Sequence, residues 1–287
     1  MAVSVMQDQK AEQEPYETLQ QKSIFAAAFF ERRQLLRIYY VRANTERRME
    51  GEEMTWWQNL VEDFVTNFVV DNRWKFLTDG LAVTLKVTAF SVVVGLLMGF
   101  LVAVVRTVHE ETGRFKILNA IAGAYLTFFR GTPVVVQLML IYFVVLGQWM
   151  GVTNKMLAAV LAFGINSGAY QAEIFRAGIQ SVPRGQFEAG RSLGFSYTQT
   201  MVTIIMPQAL KNILPTLCNE FITLLKETSV AGYIALQDLT KGGDIIRSRT
   251  YSAFMPLIAV ALIYLIMVLV LTYLIRRLER RLKRSER

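Results

Sequence analysis

The side chains with most chemistry to offer are the polar and ionisable ones inside long apolar runs. Glu220 lies near the middle of one run, beside Asn219. An ionisable group within hydrocarbon is costly and by default marks a pathway. Glu220, with Asn219, is therefore a candidate acceptor for an ammonium or a cationic side chain; the alternative is a structural hydrogen bond to a neighbouring span. In a second run, Arg130-Gly131-Thr132-Pro133 interrupts the apolar pattern. Proline at the first helical position, with threonine before it as the cap, signals a helix start. The N-terminus of such a half-helix attracts anionic groups. Arg130 and Thr132 are thus candidates for binding a carboxylate, and Gln137, one turn on, could complete a pocket. Arg130 is equally readable as a cytoplasmic flank that snorkels or meets a partner. Glu173 and Arg176 read as a structural or gating ion pair rather than as ligand contacts.

Other chemistries find less support. No nucleophile–base set is evident, so no catalytic residue is assigned. The single histidine, His109, is placed in a loop and excludes a multi-histidine metal site, and no metal ligands are assigned. Cys218, the one cysteine, cannot form an intramolecular disulfide. The phosphate-binding pattern Gly-x-x-x-x-Gly-Lys-[Ser/Thr] is missing from the sequence. The chain is therefore not an ATPase, and no bound cofactor is expected on it.

Spans must position these groups. The 287 residues are 53% hydrophobic and 19% charged, and the apolar ones concentrate in residues 80–275. Runs of about 20 apolar residues cross a bilayer as helices, which satisfy their own backbone there. The expected fold is an all-α membrane protein with about five transmembrane helices. They read as Gly80 to Val105, a short helix to Phe129 followed after the break by Pro133 to Gln148, Lys155 to Ile174, Gln208 to Val230, and Ala253 to Ile275. Residues 1–53 are a polar extension with no visible cleavable signal. Residues 54–79 read as an amphipathic interfacial helix, with Trp56, Trp57, Leu60, Phe64, Phe68 and Val69 at helical spacing. Met54 is an alternative start to the chain. Residues 276–287 form a basic tail. The net charge of +8 fits Lys and Arg flanking spans on the cytoplasmic side, with no nucleic-acid partner. That rule puts the C-terminus and the loops 106–116 and 178–203 in the cytoplasm, in a multi-pass protein of the cytoplasmic membrane.

The loop of about 178–207 holds Glu188-Ala189-Gly190, then Gly194, then Ile204-Ile205-Met206-Pro207. A helix from Pro183 to Leu193 stopped by Gly194 is expected there. This spacing resembles the EAA loop of ABC importer permeases, with Gly190 replacing the second alanine and Met206 a leucine. Phe129–Gln137, Gly168–Ile179, Ala209–Pro215, Asn219–Phe221 and Leu225–Ser229 resemble signatures of the polar amino-acid permeases, the His/Glu/Gln/Arg/opine type. The resemblance covers roughly residues 55–280. It implies the type I ABC importer arrangement: two permeases, this chain with a second copy or a paralogue, form the path. Two ATPase subunits, which carry ATP and magnesium, receive the EAA helices, and an extracytoplasmic binding protein delivers the amino acid. Glu188, Ala189, Gly190, Gly194, Ile204 and Pro207 are then the coupling residues, with Ala189 and Gly190 letting the partner's backbone approach. Other readings are a permease for another small solute such as an opine, a membrane hydrolase, and a non-transport receptor.

Overall fold

The computed structural model describes residues 55–284. The expected extension 1–53 and the end of the basic tail lie outside them. Every regular element among the described residues is helical, and the chain divides into two units between Thr66 and Asn67.

The first unit contains α1, Trp56–Phe64, whose start is closed by the Thr55 N–H donating to Gln58 Oε1 at 2.9 Å. Trp56 and Trp57 meet edge to face and, like Phe64, are exposed. The single amphipathic helix expected over residues 54–79 is not what forms. The chain passes through a π turn, Val65–Val69, and a short 3₁₀ turn, Val70–Asn72. Asp71 and Asn72 then take φ of 54° and 53°. Asp and Asn are the residues that best tolerate this left-handed conformation, so the helix ends on them.

In the second unit α2 starts at Trp74, earlier than expected, and continues to Thr112. Its 39 residues extend about 58 Å, well beyond a hydrocarbon core. Arg106 and His109, expected in a loop, therefore stand on its last turns. Gly113, at φ 66°, ends it with its N–H on the His109 carbonyl. Next come α3 (Lys116–Gly131) and α4 (Val134–Met139), which continues as a π-helical segment over Leu140–Trp149. The chain bends by 109° between them. Helix α5, Lys155–Gln180, is capped by the Asn154 side chain accepting from the Leu157 N–H. The region expected to couple to a partner comprises α6 (Arg184–Ser192), α7 (Tyr197–Thr200) and a π turn over Met201–Ile205. Then follow α8 (Met206–Glu227), a 3₁₀ turn (Thr228–Ile234), α9 (Leu239–Thr250) and α10 (Phe254–Arg284).

Segments α2, the stretch Tyr197–Ile234 and α10 are each long and apolar enough to cross a membrane; counted as one span, the bent pair α3/α4 makes a fourth. The fifth expected crossing is α5, 26 residues long. It is less apolar because Asn166, Ser167 and Gln171 lie along it, but all three are buried against other helices. Between the last two expected spans the chain forms α9. Its N-cap Asp238 accepts from Thr240 N–H at 3.0 Å and Lys241 N–H at 3.2 Å, fixing the first turn.

Helix α5 is the axis of the bundle, with α2 crossing it closely. Gly95 and Gly99 of α2 face Gly164 and Gly168 of α5; a Cβ on Gly99 would stand 2.9 Å from the Gly168 carbonyl oxygen. Small residues four apart on both helices let the backbones touch, a recurring route to helix association in membranes.

Candidate substrate cavity and coupling loop

A cavity of about 500 Å³ opens between α5 and α8. The α5 wall is Tyr170, Glu173, Ile174, Ala177 and Gly178, continued by Ser181; the α8 wall is Asn212, Thr216 and Glu220; Arg130, from the end of α3, closes the rim. The α8 residues recur every four positions, one face of a helix. Two of the five expected ligand residues, Arg130 and Glu220, meet here.

Glu220 is held from α5. Its Oε1 accepts from Ser167 Oγ at 3.0 Å, and Ser167 Oγ in turn accepts from Gln171 Nε2 at 2.9 Å. Glu173 forms the expected pair with Arg176, through Nη2 at 2.7 Å and Nε at 3.2 Å. Arg130 approaches the same carboxylate only to 3.8 Å and lies over the Tyr170 ring. At the coupling-loop end Asn212 donates to Ser181 Oγ at 2.8 Å, joining the two walls.

The other three expected ligand residues do not line the cavity. Asn219 is exposed elsewhere on α8. Thr132 does not cap the following helix, because Pro133 occupies the N-cap position rather than the first helical one. Thr132 instead turns back, its hydroxyl donating to the Phe128 carbonyl. Gln137 is 2% exposed and holds the break together from behind. Its Nε2 reaches the Phe129 and Thr132 carbonyls, both at 3.0 Å, and Thr132 Oγ1 at 2.8 Å. Its Oε1 accepts from Asn166 Nδ2, which also bonds the Phe129 carbonyl. The break frees backbone carbonyls that buried amides must satisfy. Replacing Gln137 by leucine is expected to strand these partners, at about 1–3 kcal/mol for an unsatisfied buried group. The purified variant should melt several degrees below the parent in a thermal-shift assay; an unchanged melting temperature would show that the network does not hold the break.

Tyr170, Ser181, Asn212 and Thr216 were not among the expected site residues. The four-residue spacing of Asn212, Thr216 and Glu220 was a visible signal for two of them. Ser167, the partner of Glu220, was not among the expected residues either.

The coupling helix α6 ends as its sequence implies. Gly194, at φ 80°, follows the C-cap; its N–H reaches the Arg191 carbonyl at 2.9 Å, and the Phe195 N–H reaches the Gly190 carbonyl at 3.0 Å. This paired closure is the Schellman motif, which glycine best permits. Ser196 and Gln199 then form a capping box that starts α7. Glu188 and Ala189 are exposed on α6, and Leu193 beside them is 73% exposed. Gly190 departs from expectation. It faces inward, and a Cβ there would stand 2.7 Å from Thr200 Cγ2 and 3.1 Å from Ile204 Cδ1. Its lack of a side chain makes room for the chain's own return segment, not for a partner's backbone. Phe187, three residues earlier on the same face, stacks on Tyr197. Ile204 is half-buried against Gly190, and Pro207, exposed, sits in the first turn of α8.

The family described as the binding-protein-dependent transport system inner membrane component matches residues 80–284. The arginine transport system permease protein ArtQ of Bacillus subtilis (strain 168) is 40% identical over 212 residues, covering 74% of this chain and 94% of ArtQ. The glutamine transport system permease protein GlnP of Escherichia coli (strain K12) is 39% identical over 208 residues, 72% of this chain and 93% of GlnP. Among solved structures, an amino acid ABC transporter crystallised with histidines has a chain 43% identical, with a TM-score of 0.68, covering 75% of this chain and 98% of that one. The inward-facing MetNI methionine ABC transporter, at 22% identity and a TM-score of 0.63, shares the fold.

Proposed function

The chain belongs to the family of binding-protein-dependent transport system inner membrane components, and from that premise we propose that it carries a polar amino acid across the cytoplasmic membrane by alternating access. The observation that carries the reading is the match along more than nine-tenths of ArtQ and GlnP, permeases named for arginine and glutamine.

The cavity between α5 and α8 is the substrate path. Arg130 receives the carboxylate and Glu220 the ammonium, while Gln137 and Thr132 shape the break that presents Arg130. The loop from α6 to Pro207 is the coupling surface. Glu188, Ala189 and the exposed Leu193 enter a groove on a separate ATPase subunit, and Gly190, Gly194 and Ile204 set the loop's shape. ATP and magnesium reside on that ATPase. A second copy or paralogue of this chain completes the path, and an extracytoplasmic binding protein delivers the substrate. The basic C-terminus of α10 lies on the cytoplasmic side.

The test is ATPase activity of this permease and its cognate ATPase in liposomes, with the binding protein and a panel of amino acids. Stimulation by a polar amino acid is expected. Assembly without stimulation by any amino acid would point to another small solute such as an opine. Failure to assemble would remove the coupling assignment.

A further inference from the structure

We infer that the cavity selects an amino acid whose side chain carries no net charge. This rests on the reading of the cavity as the substrate site. Besides the phenol of Tyr170, three ionisable side chains line it: Arg130, Glu173 and Glu220. Glu173 is already committed, since its Oε2 takes both Arg176 nitrogens at 2.7 and 3.2 Å. Arg130 is not. Its 3.8 Å approach to Glu173 Oε1 is too long for a hydrogen bond, so its donors remain available to another oxygen. The Tyr170 ring, 5.6 Å from the guanidinium carbon, holds it at the rim.

Glu220 offers the opposite charge. A serine hydroxyl has one proton. Ser167 accepts from the Gln171 amide and so directs that proton to Glu220 Oε1. Among the described residues no donor bonds the second carboxylate oxygen. The rest of the polar wall, Ser181, Asn212 and Thr216, is neutral.

The site thus has one uncommitted guanidinium and one uncommitted carboxylate. These match the two α-groups of an amino acid and leave only neutral donors and acceptors for its side chain. An amide or hydroxyl side chain is satisfied by such a wall. A second cation would find no acid on this wall to meet it. A second anion would compete with Glu173 and the ligand's own carboxylate for the same guanidinium. A charged side chain held there without a partner gives up hydration that neutral donors and acceptors only partly replace.

The experiment measures binding of radiolabelled L-glutamine, L-arginine and L-glutamate to the permease–ATPase complex in nanodiscs, without the binding protein, so that only the permease's own selectivity is read. Glutamine is expected to bind at least tenfold more tightly than either charged amino acid. Thr216→Asp puts an acid into the neutral wall and should raise arginine affinity relative to glutamine at least tenfold. Asn212→Asp, nearly the same shape, should act in the same direction if Thr216→Asp does not assemble. Arginine or glutamate binding the parent as tightly as glutamine overturns the inference while leaving the amino-acid reading intact. So does glutamine selectivity that neither aspartate alters, because selection would then lie outside this wall. Binding of none of the three, in a complex that still hydrolyses ATP, overturns the substrate-site reading itself.

Discussion

Glu220→Ala is expected to lower amino-acid uptake in proteoliposomes at least tenfold, with the permease and its ATPase still copurifying in full. The carboxylate is half-buried on the cavity face of α8 and is held by Ser167 across 53 residues of sequence. Removing it leaves one serine hydroxyl without its acceptor, a small structural loss. It also deletes the cavity's only acid not already bound by an arginine. An interaction with a ligand cation in a partly desolvated site exceeds the tenfold threshold of about 1.4 kcal/mol once truncation leaves that cation unpaired. The coupling loop lies thirteen residues away at Pro207, about 20 Å along the helix, so assembly should be untouched. Glu220→Gln, which keeps the shape and the Ser167 bond but not the charge, should show most of the same loss. Uptake at the parent rate in both variants would remove Glu220 from the site.

The second large effect is expected at Gly190. Substitution by leucine should abolish substrate-stimulated ATPase activity, whereas Ala189→Ser, one residue earlier on the exposed face, should leave it near normal. At Gly190 even a Cβ meets Thr200 within 2.8 Å, at both Cγ2 and Oγ1. The larger side chain must push α6 away from the return segment. Overpacking of this kind costs about 1–3 kcal/mol. Here the displacement also strains the turn, because the Gly190 carbonyl is the acceptor for the Phe195 N–H. A partner-facing role would give the reverse ranking, with Ala189→Ser as damaging as Gly190→Leu. Basal and stimulated ATPase rates of the two variants, measured side by side, decide between them.

These residues also show what local sequence discloses. Apolar runs, basic flanks, a glycine after an amphipathic turn and an acid three residues from an arginine are all local patterns. The spans, the end of α6 and the Glu173–Arg176 pair were therefore legible. Helix pairing is not local. Nothing around Ser167 says that Glu220 is opposite, and nothing around Gly190 says that Thr200 packs against it. Gln137 was misplaced for the same reason. A buried amide one turn beyond a break serves a ligand or the break itself, and only the positions of the Phe129 carbonyl and Asn166 decide which. The left-handed pair Asp71–Asn72 was a readable local signal, outweighed by the apolar spacing on either side of it. Helix α9 was obscured because its two adjacent glycines, Gly242 and Gly243, resemble loop residues. Both are buried, and a Cβ on Gly242 would collide with the Phe76 carbonyl of α2, so close packing rather than a turn accounts for them.

The glycine crossing of α2 and α5 has a mechanical consequence. Where backbone rests on backbone there are no side chains to repack, and packed interfaces shift between discrete arrangements rather than deforming by degrees. The two helices therefore behave as one rigid strut. Helix α8, which starts at the coupling loop and carries Glu220 further along, is tied to that strut by side chains instead, Asn212 to Ser181 and Ser167 to Glu220. Between Asn212 and Glu220 it contains Pro215, which has no N–H to bond the Lys211 carbonyl. The helix thereby lacks one backbone hydrogen bond between its coupling-loop end and the turn that carries Glu220.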